Sequence, residues 1–127
     1  MKIYICDQDV AKARSMQAIL GVYNYKVVTV DKHADLFRNL SRQRPAVIII
    51  NQSFTRNSGV DIVSKLKTDP STSGIPIIYI GSEPQFREPL HTNGGSLIEF
   101  VEEPVRIKNL RHYIDRWTTF RSIHIRH

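Results

Sequence analysis

Short apolar runs separated by segments of helical period organise this chain. Lys2 to Cys6, Lys26 to Val30, Ala46 to Ile50, Ile75 to Ile80 and Leu97 to Val101 each read as a β-strand. The third and fourth runs are apolar on both faces, the pattern of central parallel strands covered by helices. Between the runs, Ala13, Met16, Leu20 and Tyr23 recur at helical spacing behind a cap at Asp7 or Asp9. Ala34, Phe37 and Leu40 mark a second helix, and Ile62, Val63 and Leu66 a third that stops near Asp69-Pro70. A last helix is predicted to start at Pro104 and to bury Ile107, Leu110, Ile114 and Trp117.

Glu83 to Asn93 fits a helix poorly, because Pro89 inside a regular helix would cost about 3 kcal/mol and only Pro84 suits a helix start. A short or broken helix is expected there, followed by a turn at Asn93-Gly94-Gly95. Strands alternating with helices imply one α/β domain, a doubly wound parallel sheet with helices on both faces. Ligands of such sheets sit at the carboxyl ends of the strands. Those ends are Asp7-Gln8-Asp9, Asn51, Gly81-Ser82 and Glu102-Glu103.

Composition narrows the function classes. The chain has 127 residues, enough for one core, with ordinary hydrophobic (41%) and charged (24%) fractions. No apolar run is long enough to cross a membrane, and two early carboxylates argue against a signal peptide, so a cytoplasmic location is expected. The single cysteine, Cys6, excludes an internal disulfide and reads as a buried thiol. His33, His91, His112, His124 and His127 have no ligand spacing, so no metal site is expected from them. From Pro104 onward, Arg106, Lys108, Arg111, Arg116, Arg121 and Arg126 face Asp115 alone and carry most of the net charge of +6. Their five-residue spacing turns each arginine by about 140° from the last, so they form no stripe. A solvated face with a tail is expected, and nucleic acid is not the expected partner of this domain alone. A flavin site is also excluded, because CDQDVAKAR has no glycine to cradle phosphate and carries two carboxylates.

Several stretches resemble the receiver domains of two-component response regulators, the CheY-like family. ICDQDVAKAR is similar to the family's I-V-D-D-D opening, and PAVIIIN, ending at Asn51, to P-D-L-I-L-L-D. The interval from Asn51 to Gly59 matches D-x-x-M-P-x-x-D-G. PIIYIGS, containing Gly81 and Ser82, resembles P-V-I-x-L-T-A, and Phe100-Val101-Glu102-Glu103-Pro104 resembles Y-[LV]-x-K-P. The separations, 44 residues from Asp7 to Asn51, 30 to Gly81 and 22 more to Glu103, are family-like. The resemblance covers residues 1–120, with 121–127 read as a basic tail. It implies a five-stranded parallel sheet in the order 2-1-3-4-5.

The resemblance also implies a chemistry that these residues lack. In the family an acidic pair and an acceptor Asp hold Mg²⁺, a hydroxyl and a Lys take phosphoryl oxygens, and an aromatic residue reports the state. Here Asp7 and Asp9 remain, but Gln8 replaces one of the acidic pair and Asn51 stands at the acceptor position. Gly81 takes the hydroxyl's place with Ser82 beside it, Glu103 replaces the Lys, and Phe100 stands at the aromatic position without a hydroxyl. An amide cannot form an acyl phosphate, since that needs a carboxylate nucleophile. Mg²⁺ prefers hard anionic oxygens, so its binding is expected to be weak or absent and no cofactor is expected. Glu103 inverts the charge that would meet a phosphoryl group. Ser53 and Ser82 are alternative hydroxyls without a base evident in sequence, and Arg56 is a candidate to neutralise Asp7 or Glu103.

The reading is therefore a degenerate pseudo-receiver, not an enzyme, acting by phosphorylation-independent protein contact. Its expected face is the family's fourth-helix, fifth-strand and fifth-helix surface, represented by Phe100, Arg106, Lys108, Arg111 and Arg116. The expected partner is a kinase or effector region of a signalling protein, or a second copy of the chain, with no membrane involved. The alternatives are a phosphorylatable receiver with a non-standard acceptor and a DNA-binding regulator using the basic C-terminus.

Overall fold

The computed structural model describes residues 2–55, 62–82 and 98–125, the side chains of 107 and 120–125 aside. Strands β1 (Lys2–Cys6), β2 (Lys26–Val30), β3 (Val47–Asn51), β4 (Ile77–Gly81) and β5 (Ile98–Glu102) form one parallel sheet. Its order is β2-β1-β3-β4-β5, the order the resemblance implies. The helices are α1 (Val10–Gly21), α2 (His33–Arg42), α3 (Gln52–Thr55), α4 (Ile62–Thr68) and α5 (Ile107–Ile125).

Alternation along the strands divides the core in two. Ile3, Ile5, Val47, Ile49, Ile78 and Ile80 point to the face covered by α1 and α5 through Met16, Leu20, Leu110 and Ile114. Tyr4, Cys6, Ile48, Ile50, Ile77 and Tyr79 point to the face covered by α2, α3 and α4 through Leu36, Phe54, Ile62 and Leu66. β3 and β4 are buried at every residue, as their unbroken apolar runs predict. Each fully buried isoleucine contributes about 1.5–3 kcal/mol by leaving water, so the central pair anchors the sheet. Tyr4 adds direction, since its hydroxyl crosses the layer to donate to the carbonyls of Asn39 (3.0 Å) and Gln43.

Four local expectations need correction. Tyr23 does not extend α1: the helix stops at Gly21, and Asn24 at φ 68° takes the left-handed turn that leads into β2. Ala34 is exposed, and Leu36 is the residue of α2 that is fully buried, with Phe37 and Leu40 packed beside it. Pro104 does not begin α5; the Arg106 carbonyl is the first to accept an i+4 bond, from Leu110, so the helix starts at Ile107. Ile75 is buried but lies before β4, in a loop where its N–H donates to the Thr72 carbonyl. α5 runs on through Ile125, within the residues read as a basic tail. The expected break over Glu83 to Asn93, the Asn93-Gly94-Gly95 turn, Leu97 and Arg56 lie outside the described residues.

Candidate functional site

The carboxyl ends of β1, β3 and β5 converge on a polar cavity of about 230 Å³. Asp7, Asp9, Lys12, Asn51, Ser53 and Glu103 line it, together with Gln52 and Ser82. The strands deliver Asp7 and Asn51 there because the sheet ends one residue after its apolar runs. Asn51 still pairs in register with Ile80, while the Asp7 N–H donates to the Val30 carbonyl at 3.0 Å.

Asp7 is only 2% exposed, so its carboxylate must be met by donors. Its Oδ1 accepts from the Asp9 N–H at 2.9 Å and from the Ser53 hydroxyl at 3.0 Å. The Ser53 oxygen in turn receives the Gln8 N–H at 3.4 Å, tying the β1 end to α3. Asp9 caps α1, its Oδ1 accepting from the Lys12 N–H at 3.1 Å. Asn51 is 6% exposed and uses both ends of its amide. Its Oδ1 accepts from the Ser53 N–H at 2.9 Å, and its Nδ2 donates to Glu103 Oε1 at 2.7 Å. That same carboxylate oxygen accepts from Lys12 Nζ at 3.1 Å. Gln52 Oε1 accepts from the Ser82 N–H at 3.2 Å, linking α3 to the end of β4.

The electrostatics follow from this inventory. Among the described residues lining the cavity, Asp7, Asp9 and Glu103 outnumber Lys12, so a phosphoryl dianion meets an excess of like charge from them. Beneath the cavity, burial pushes the Cys6 thiol well above its ordinary range, and the Asp7 charge adds to the effect.

The donor set does not fit a divalent cation. Asp7 Oδ1 already takes two bonds, Asn51 Oδ1 is committed to the Ser53 N–H, and Glu103 Oε1 holds an amide and an ammonium. Among the described residues no group of three or more His, Cys, Asp or Glu side chains is arranged to hold a metal. His33 instead donates from Nε2 to the Phe54 carbonyl at 2.6 Å, and its ring lies 4.6 Å from the Phe54 ring.

The structure thus gathers Asp7, Asp9, Asn51, Ser82 and Glu103 around one cavity. Gln8 is exposed and contributes its backbone N–H, and Gly81 is buried with its carbonyl accepting the Glu103 N–H at 3.0 Å. Phe100 packs into the core on the α2–α4 side of the sheet, opposite Tyr79 in register. The basic residues expected beside it divide. Arg106 and Lys108 are exposed, Arg111 lies 4.1 Å over the Tyr23 ring, and Arg116 pairs with Glu99. Two contributors escaped the sequence reading. Lys12 pairs with Glu103, and the Asp7 carboxylate lies beside the Ser53 hydroxyl, a base that no spacing revealed. The available signal was that Lys12 follows the Asp9 cap by three residues, in the turn of α1 nearest the strand ends.

A family model described as a response regulator receiver domain matches residues 3–115. Comparison with curated protein sequences found no match. Among solved structures, a response regulator receiver domain protein from Clostridium thermocellum is 18% identical, with a TM-score of 0.80 over 96% of this chain and 97% of its own. The signal receiver domain of a signal transduction histidine kinase from Syntrophus aciditrophicus is 22% identical, with a TM-score of 0.78 over 93% and 89% of the two chains. NtrX from Brucella abortus, solved with ADP, is 13% identical with a TM-score of 0.82. That match covers 98% of this chain, which spans 28% of the NtrX chain.

Proposed function

The chain belongs to the response regulator receiver domain family, and we propose that it is a pseudo-receiver, signalling by protein contact and not by its own phosphorylation. One observation carries this reading: the Asn51 amide donates to Glu103 at 2.7 Å. The residue at the acceptor position is a neutral donor, and its partner is an anion where a cation is needed to receive phosphoryl oxygens. Mg²⁺ binding is correspondingly weak, no cofactor is required and the domain is not an enzyme. Residues 1–120 act as the receiver-like unit. The contact surface runs over Arg106, just before α5, and the exposed basic side chains of α5, Lys108 first, toward a kinase or effector region or a second copy of the chain. No helix among the described residues is long and apolar enough to cross a membrane.

The test is a pair of ¹H–¹⁵N spectra with and without acetyl phosphate and Mg²⁺, repeated with beryllofluoride. The spectra are expected to superimpose. Shifts clustered around residues 7–9, 51–53 and 103 would overturn the reading. A second reading has one observation in its favour, the Ser53 hydroxyl donating to Asp7 at 3.0 Å, the arrangement of a hydroxyl nucleophile beside a base. It predicts a phosphate-dependent mass shift that Ser53→Ala abolishes, against the surplus of carboxylates in the cavity.

A further inference from the structure

We propose that the groove between α1 and the start of α5 is a docking site for an acidic amphipathic helix of a protein partner. The inference rests on the pseudo-receiver reading and names the kind of partner that such a domain holds. The groove encloses about 460 Å³, with Met16, Ile19, Pro104 and Val105 as its apolar centre and Lys12 and Glu103 among its polar lining. Lys12, Ser15, Ile19 and Val22 recur at three- and four-residue spacing, so they share one side of α1. Val22 is 77% exposed and Ile19 43%, an apolar pair one turn apart that nothing in this chain's own core requires. Tyr23 continues the patch and carries Arg111 of α5 over its ring at 4.1 Å.

Charge selects the occupant. α1 carries Lys12 and Arg14 and no acidic residue. Arg106 and Lys108 follow Val105, both exposed and with no anionic partner among the described residues. The neighbouring carboxylates are engaged within the chain: Glu103 accepts from Asn51 and Lys12, and Asp115 from Tyr25. Glu102 follows Phe100 by two residues along β5 and so belongs to the other side of the sheet. A second copy would bring another basic α1 against this one, and nucleic acid has no use for an apolar centre. A helix with an apolar stripe flanked by Glu and Asp satisfies both features. Lys12 to Val22 spans about 15 Å, close to three turns of such a helix.

The experiment titrates a synthetic helical peptide of about 15 residues into the ¹⁵N-labelled chain, without phosphate or Mg²⁺. Its leucines stand at i, i+4 and i+7 and are flanked by glutamates. The amides of residues 15–23 and 105–111 should shift, and the same peptide with lysines for glutamates should leave them in place. Ile19→Ser should weaken binding about tenfold, as should Arg106→Glu combined with Lys108→Glu. Val10→Ser, at an exposed position that lines a different cavity, should bind as wild type. No shift at these amides overturns the proposal, as do equal shifts with the lysine peptide or a short DNA duplex. A dilution-dependent change at residues 15–23 without peptide also overturns it, since the occupant is then a second copy. Shifts at residues 7–9 and 51–53 on adding acetyl phosphate and Mg²⁺ overturn the pseudo-receiver reading instead, and the peptide titration is read independently of that result.

Discussion

Asn51 and Glu103 stand 52 positions apart in sequence and meet at 2.7 Å, amide nitrogen to carboxylate oxygen. Asn51→Asp replaces that bond by two facing carboxylates, and at neutral pH the variant should lose about 1–3 kcal/mol of stability. One of the two carboxyls then titrates above its unfolded value, so the variant's stability falls as pH rises from about 4 toward 7. Urea unfolding at about pH 5 and about pH 7.5 should show a smaller gap to wild type at the lower value. An equal gap would mean that the new carboxyl does not face Glu103. The variant should also stay unmodified by acetyl phosphate, because Gly81 and Glu103 still stand where a hydroxyl and a cation are needed.

Ser53→Ala removes the hydroxyl that donates to the buried Asp7 carboxylate and receives the Gln8 N–H. The carboxylate keeps only the Asp9 N–H on that oxygen, and the expected loss is about 1–3 kcal/mol. Ser53→Thr, which retains the hydroxyl, should recover part of it. Chemical denaturation of the three proteins decides the matter, and equal midpoints would refute the bridging role.

Lys67 caps the loop before β4, donating from Nζ to the carbonyls of Ser73 (3.3 Å) and Ile75 (2.8 Å). Burial pushes its pKa down from 10.5 to about 8. Between those values the unfolded chain holds a proton that the folded chain does not, so this group's contribution to stability rises with pH. Lys67→Met lacks that contribution. The stability of wild type relative to the variant should increase from about pH 8 to about pH 10, and a difference independent of pH would contradict the shift.

Tyr25 carries the opposite sign. Burial, and then its bond to Asp115, raise its pKa from 10.0 to about 12, while Arg111 opposes the rise. Its contribution is complete below about pH 10 and is lost as pH approaches 12. A spectrophotometric phenol titration of wild type minus Tyr25→Phe should show one tyrosine ionising late, and a midpoint near the ordinary value would overturn the assignment.

β3 and β4 were legible as apolar runs too short for a helix and buried on both faces, and β1 and β2 match their expected limits residue for residue. Helix limits were less so. The repeat through Tyr23 continues past Gly21 only on paper, since Asn24 turns the chain. Leu36 was missed because a short amphipathic helix offers two overlapping apolar spacings, and only packing chooses between them. At the site, motif spacing located Asp7, Asn51, Ser82 and Glu103, each at the end of a strand. Lys12 and Ser53 were not legible as partners, because their contacts depend on which strands become neighbours and on where α1 and α3 begin.

The Cys6 thiol has a practical side. It is the chain's one cysteine, fully buried in β1, with its ionisation suppressed by that burial. Thiol reagents therefore meet a silent background. A single cysteine placed on the exposed side of α5 or near Ile19, which is 43% exposed, would take a fluorophore or cross-linker alone. The face that a partner covers could then be mapped position by position without first engineering out a native sulfur.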